Sequence, residues 1–271
     1  STQPSVMRLA EDRAITQDPF DVWEEVRRRL RADNKKGDFT GVHVAPASSE
    51  VPDEPGVKLV IFSPDHPHGK GDSESAARKS AEEYLEKRGG SSRFNPNTLI
   101  FLAADRARLD ELEGAVRKYL AWKSIEKDVK ELNLDIFQTN QVQAKVKSFD
   151  ETVNLRIQET YTWLLVPSQA KPTSSQPQPE IEWDEPRLQP GSDSISTRAW
   201  RKLKDQELVV KEYAGPLMRR ELDDIPLWRG DHVTIKQLSD DYAKYLYLQR
   251  LKDTQVLLEA IKDGLLNTAW E

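Results

Sequence analysis

The sequence predicts an α/β fold, with a mixed sheet, crossover helices and a long helical hairpin, followed by a smaller, mainly helical, winged-helix-like domain. Three observations carry this. Two apolar runs, Val57–Phe62 and Thr98–Ala103, flank a helical segment, the strand–helix–strand spacing of a parallel crossover. Two long apolar stripes at helical spacing follow them. After Val166 the composition changes and the remaining pattern is helical.

A helix is expected over Asp18–Asp33. Phe20, Trp23, Val26 and Leu30 recur at helical spacing. Asp18 is the expected cap and Pro19 suits the first turn. Strands are expected at Thr40–Val44, Val57–Phe62 and Thr98–Ala103; the last, fully apolar, belongs in the middle of a sheet. A helix from Ser75 to Lys87, capped by Asp72 or Ser73 and closed by Gly89–Gly90, lies between the last two. Leu109, Leu112, Val116, Tyr119, Leu120 and Ile125 mark one helical stripe. Val142, Val146, Phe149, Val153 and Ile157 mark a second. Together they predict a protruding antiparallel hairpin over about 107–160. Trp163–Val166 returns as a strand that Pro167 should stop.

These elements give an α/β domain at 1–166. The stretch 167–191, rich in Pro, Ser and Gln, reads as a linker. A mainly helical domain at 192–271 contains a short strand at His232–Ile235 between helices, an order that permits a winged arrangement. Both ends read as cut, which predicts a piece of a longer protein.

Composition narrows the function. The 271 residues are 37% hydrophobic and 32% charged, the balance of a globular chain with a charged surface. The longest uninterrupted apolar stretch, Leu99–Ala104, is too short to span a membrane. The first residues lack a basic segment followed by an apolar one. There is no cysteine, so disulfides, thiolate metal sites and a cysteine nucleophile are excluded. A cytoplasmic location is the expectation. A net charge of −6 gives no dominating footprint for nucleic acid. The basic patch Val26–Arg31 reads as a solvated helix face.

The chemistry-bearing stretch is Ser63–Ser73, "SPDHPHGKGDS", between a strand and a helix. A phosphate-binding loop needs glycine, four residues, then Gly-Lys and a hydroxyl residue. Aligned on Gly69–Lys70, Pro64 stands in place of the first glycine and Gly71 in place of the hydroxyl. Proline lacks the amide of the phosphate cradle and glycine lacks the magnesium-ligating oxygen. Asp65, His66 and His68 are good ligand types, and histidines two apart on an extended chain share a side. A metal site there would still need further ligands, and a hydrophilic strand-to-helix connection is the preferred reading. Asp105 after Leu99–Ala104 is expected to cap the long helix rather than to hold magnesium. A serine hydrolase elbow is missing. Trp228 and Arg229, beside Gly230–Asp231, are candidate anchors for a partner.

Four stretches together resemble a family of large prokaryotic AAA+-type ATPases linked to anti-phage defence gene clusters. They are "STQPSVMRLAEDRA", "VHVAPASSEVPDEP", "NTLIFLAADRARLDELEGAVRKYLAW" and "LDDIPLWRGDHVTIKQLSDDYAKYLYLQRLKDTQVLLEAIKDGL". The resemblance implies a region downstream of the nucleotide-binding core, with ATP and magnesium belonging to the parent protein and no cofactor or catalysis here. Its partners would be other domains of that ATPase, with defence-system proteins beyond. None of the four stretches is a catalytic motif. Two alternatives accompany this reading: a DNA-binding module using Lys236–Leu266 and Arg27–Arg31, and a metal-dependent hydrolase centred on Asp65, His66 and His68.

Overall fold

The computed structural model describes residues 5–33, 35–224 and 232–266. Its elements begin with α1 (Val6–Ile15), α2 (Pro19–Ala32), β1 (Gly41–Val44), β2 (Lys58–Ile61) and α3 (Ala76–Glu86). A small hairpin, β3 (Lys87–Arg88) and β4 (Ser91–Ser92), leads to β5 (Leu99–Ala104). Then come α4 (Leu109–Lys127), α5 (Ile136–Thr160), β6 (Tyr161–Gln169) and β7 (Ile181–Asp184). Helices α6 (Ile195–Asp205), α7 (Gly215–Asp224), α8 (Ile235–Lys244) and α9 (Thr254–Leu266) follow. No helix among the described residues is long and apolar enough to cross a membrane.

The five-stranded sheet has the order β1-β2-β5-β6-β7. β1, β2 and β5 are parallel, while β6 and β7 are antiparallel to their neighbours. The mixed α/β class is therefore as the sequence predicts. Side chains alternate between the two faces, as a pleated strand requires. Leu59, Ile61, Ile100 and Leu102 enter one core with α1, α2, α4, α5 and α6, whereas Val60, Phe62, Leu99 and Phe101 enter a second core with α3. Both faces of β2 and β5 are covered, which is why, Lys58 at the start of β2 apart, their sequences are apolar. In β6 the pairing jumps from Ala103↔Trp163 to Ala104↔Tyr161. The extra residue, Thr162, is a bulge that reverses the alternation, so Tyr161 and Trp163 fall in different cores.

Several expectations are corrected. The α4–α5 hairpin does not protrude: Val142, Val146, Val153 and Ile157 are buried in the main core, with Phe149 packed against it. In α2 the buried stripe is Val22, Val26 and Leu30, while Phe20 is exposed beneath the Arg27 guanidinium. Pro167 does not stop β6. Pairing with β5 ends at Leu165, and beyond it β6 is flanked only by β7, so a missing amide is tolerated as on any edge. The stretch expected as a linker supplies β7, and α6 buries Ile195, Ala199, Trp200 and Leu203 in the main core. Trp200 meets Phe39 edge-on at 5.0 Å. A separate core forms only beyond Val209, from residues such as Tyr213, Met218, Leu222, Leu238, Tyr242 and Leu257. Thr234, expected within a strand, caps α8 through the Gln237 amide.

Candidate functional site

The loop Ser63–Ser73 leaves the carboxyl end of β2, the end at which open α/β sheets place their ligands. It turns at once, the His66 amide donating to the Ser63 carbonyl at 3.0 Å. It then runs back beside the end of β5, where the His68 amide donates to the Ala104 carbonyl and its carbonyl accepts from the Arg106 amide. This turn separates the two histidines. His66 stays exposed, its Nδ1 3.0 Å from Asp65. His68 points inward and is 0% exposed. Asp65, His66 and His68 therefore do not converge, and no cluster of three or more His, Cys, Asp or Glu able to hold a metal occurs among the described residues.

Both ring nitrogens of His68 are engaged. Nδ1 lies 2.6 Å from the Ser75 hydroxyl and Nε2 lies 2.8 Å from Glu185 Oε1. The Ser75 hydroxyl also accepts the Arg78 amide at 3.0 Å, so Ser75, not Asp72 or Ser73, caps α3. Hydroxyl donation to Nδ1 leaves Nε2 as the N–H that Glu185 accepts. The other Glu185 oxygen accepts the Gly71 amide at 3.0 Å. Gly71 has a φ of +70°, a left-handed turn that glycine adopts without strain.

Glu185 comes from the far side of the sheet sequence. The register Val166↔Asp184 continues to the bridge Trp163↔Arg187, broken at Pro186, which has no amide to donate. Residues 183, 185 and 187 thus share the α3 face with Trp163 and Leu165. Trp163 stands edge-on to His68 at 5.6 Å and carries the Arg187 guanidinium over its ring at 3.9 Å. Arg187 in turn pairs with Asp105 at 2.5 Å. Asp105 caps a short turn at Arg106–Arg108 ahead of α4, one step earlier than expected. Asp72 pairs with Arg106 at 2.6 Å, and that hydrogen bond holds its carboxyl below the ordinary value. Burial pushes the Asp65 carboxyl up, but hydrogen bonds from Ser63 and His66 outweigh it and the net shift is downward.

Serine, histidine and glutamate in one hydrogen-bonded chain resemble a nucleophilic triad in outline only. A working nucleophile needs access and a hydroxyl free for its base. Ser75 is 2% exposed and its oxygen is occupied by a helix amide. What the chain of bonds does is tie the loop, the α3 N-terminus and the β7 extension together. Nor does the loop offer a phosphate cradle, since its Gly71 amide is already bonded to a carboxylate of the protein itself. Sequence reasoning missed Ser75 and Glu185. The one local signal for the latter is the alternation of Trp183, Glu185 and Arg187.

The basic patch on α2 is committed internally. Arg27 bonds Glu24 and Ser63, and Arg28 bonds Glu25. Arg29 is buried against Glu25, Asp150 and Asn154, and Arg31 pairs with Glu24. Trp228 and Arg229, the candidate anchors, lie outside the described residues. The chain matches no family model, no curated protein and no solved structure.

Proposed function

We propose that this chain is a non-catalytic interaction region of a multidomain AAA+-type ATPase acting in anti-phage defence, located in the cytoplasm. Two things support the reading: the resemblance of the four quoted stretches, and the use made of the one loop with chemical potential. The single observation that carries it is Glu185, whose carboxylate occupies both His68 Nε2 and the Gly71 amide. Groups that could have met a substrate or a phosphate meet a side chain of the protein instead. ATP and magnesium then belong to the ATPase core of the parent protein.

The test has two arms. Calorimetric titration of the chain with Mg-ATP gives no saturable heat and no phosphate release, while mixing it with the ATPase core as a separate polypeptide gives a stoichiometric complex in light scattering. Saturable Mg-ATP binding with turnover by the chain alone overturns the reading.

A further inference from the structure

The face of the helical layer turned away from the sheet is not closed. α1 packs on α4 through Val6 and Ala10, and α4 packs on α5, so three helices form a trough of about 460 Å³. Its walls and floor are Met7 and Ile15 from α1, Trp122 from α4 and Phe149 from α5. Ile15 is 77% exposed and Met7 41%, although both sit on a helix whose other side is buried. They are eight residues apart, about 12 Å along the helix axis. Three helices around such a trough present the missing position of a four-helix bundle.

The rim says what kind of helix fits. Lys118 of α4, Lys145 of α5 and Glu11 of α1 line the same trough. None of the three makes a hydrogen bond or ion pair among the described residues. Their neighbours behave otherwise: Lys123 is paired with Glu126, Arg117 with Glu113 and Arg13 with Asp128. An apolar floor with unpaired cations on α4 and α5 and an unpaired anion on α1 is complementary to an amphipathic helix. That helix would carry two carboxylates along one flank and a base along the other. A flat anionic membrane would meet Glu11 unfavourably and would not fill a concave trough.

We infer that the α1–α4–α5 trough is the docking site for an acidic-flanked amphipathic helix of a partner protein, an inference that rests on the interaction reading above and gives it a surface. The partner helix lays two to three turns over Ile15, Trp122 and Phe149. Its carboxylates reach Lys118 and Lys145. Met7, flexible and polarisable, adapts to the apolar side chains it meets.

The test uses two synthetic peptides with leucines at helical spacing, one with Glu on the flank facing α4 and α5 and one with Lys there. Binding is read by anisotropy of a label on the peptide. The Glu peptide binds the intact chain at least about tenfold more tightly than the Lys peptide, and the paired substitution K118E/K145E reverses that order. I15E, at an exposed position, weakens the Glu peptide by about tenfold or more while leaving the thermal midpoint unchanged. Equal affinity for the two peptides, no binding of either, or indifference to both variants overturns the inference. So does flotation of the chain with phosphatidylserine vesicles in place of peptide binding. Concentration-dependent dimerisation abolished by I15E overturns it too, since a second copy would then be the occupant. If the peptides fail while I15E and K118E/K145E still form the complex with the ATPase core, only the trough is lost. If that complex never forms, the broader reading fails with it.

Discussion

The Arg250 guanidinium, 6% exposed, donates to the Pro167 carbonyl at 2.6 Å and more weakly to Leu208 at 3.4 Å. Burial pulls its pKa down to about 10. Around it the backbone closes a short bridge, Val210 with Arg250 and Lys252. One side chain thus fastens the end of β6 to the helical C-terminal part.

R250A strands the buried Pro167 carbonyl and the half-buried Leu208 carbonyl and removes a long apolar stem, and should lower stability by about 2–4 kcal/mol in urea denaturation. R250M keeps the stem and removes the buried charge, so its loss should be clearly smaller. An alanine variant within about 0.5 kcal/mol of the wild type would show that the fastening lies elsewhere.

The His68 cluster makes a second prediction, with its own control. E185A leaves His68 Nε2 and the Gly71 amide without their acceptor, and should cost about 1–3 kcal/mol. S75A loses the α3 cap and the partner of His68 Nδ1, about 1–2 kcal/mol. H66A, at an exposed position in the same loop, should stay within about 0.5 kcal/mol. Equal effects of H66A and E185A would contradict the division between an outward and an inward histidine.

Much of this architecture is written locally. Lys58 apart, β2 and β5 are apolar on both faces because both faces are covered. The expected stripe of α5 names the buried Val142, Val146, Val153 and Ile157, whereas that of α4 omits the buried Ala115, Ala121 and Trp122. Other parts depend on partners far along the chain. β7 is exposed along most of its length and sits among prolines and glutamates. Only the free side of β6 makes it a strand. Nothing near His68 announces Glu185, which is 117 residues away. The spacing of His66 and His68 suggested a shared side on an extended chain, but the turn closed by the His66 amide on Ser63 defeats it. α6 is legible as a helix, whereas its docking against Phe39 is a tertiary fact.

The pairing of the α2 arginines yields a prediction about DNA. Arg27, Arg28, Arg29 and Arg31 are held by Glu24, Glu25 and Asp150, so few cations of this patch are free to displace counterions from a duplex. Binding of the chain to short duplex DNA should be weaker than about 10⁻⁴ M at 0.15 M salt. Its affinity should also fall only shallowly as salt rises. A steep salt slope that R28A/R31A flattens would overturn this and revive the DNA-binding reading.

The last prediction concerns Lys58, at the start of β2 and 1% exposed. Its ammonium donates to the Glu54 carbonyl at 2.7 Å and the Gly56 carbonyl at 2.8 Å. Burial lowers its pKa from 10.5 to about 8; the Glu54 and Asp53 carboxylates oppose that shift and Arg93 reinforces it. Its charge also helps hold His43 below its ordinary value, after burial itself. Between pH 8 and 10.5 the unfolded chain keeps the lysine proton while the folded chain has released it. Stability therefore rises with pH through that window, because the unfolded state binds more protons. Shifted by this much, the lysine should raise stability by on the order of 3 kcal/mol across the window. Other groups titrate there too, so the informative quantity is the difference between wild type and K58M in urea denaturation at pH 7 through 10. That difference should grow in favour of the wild type as pH rises, most steeply above pH 8. A difference that stays flat would mean that the folded lysine titrates near its ordinary value of 10.5 because water reaches it, and would remove Lys58 as a source of pH dependence.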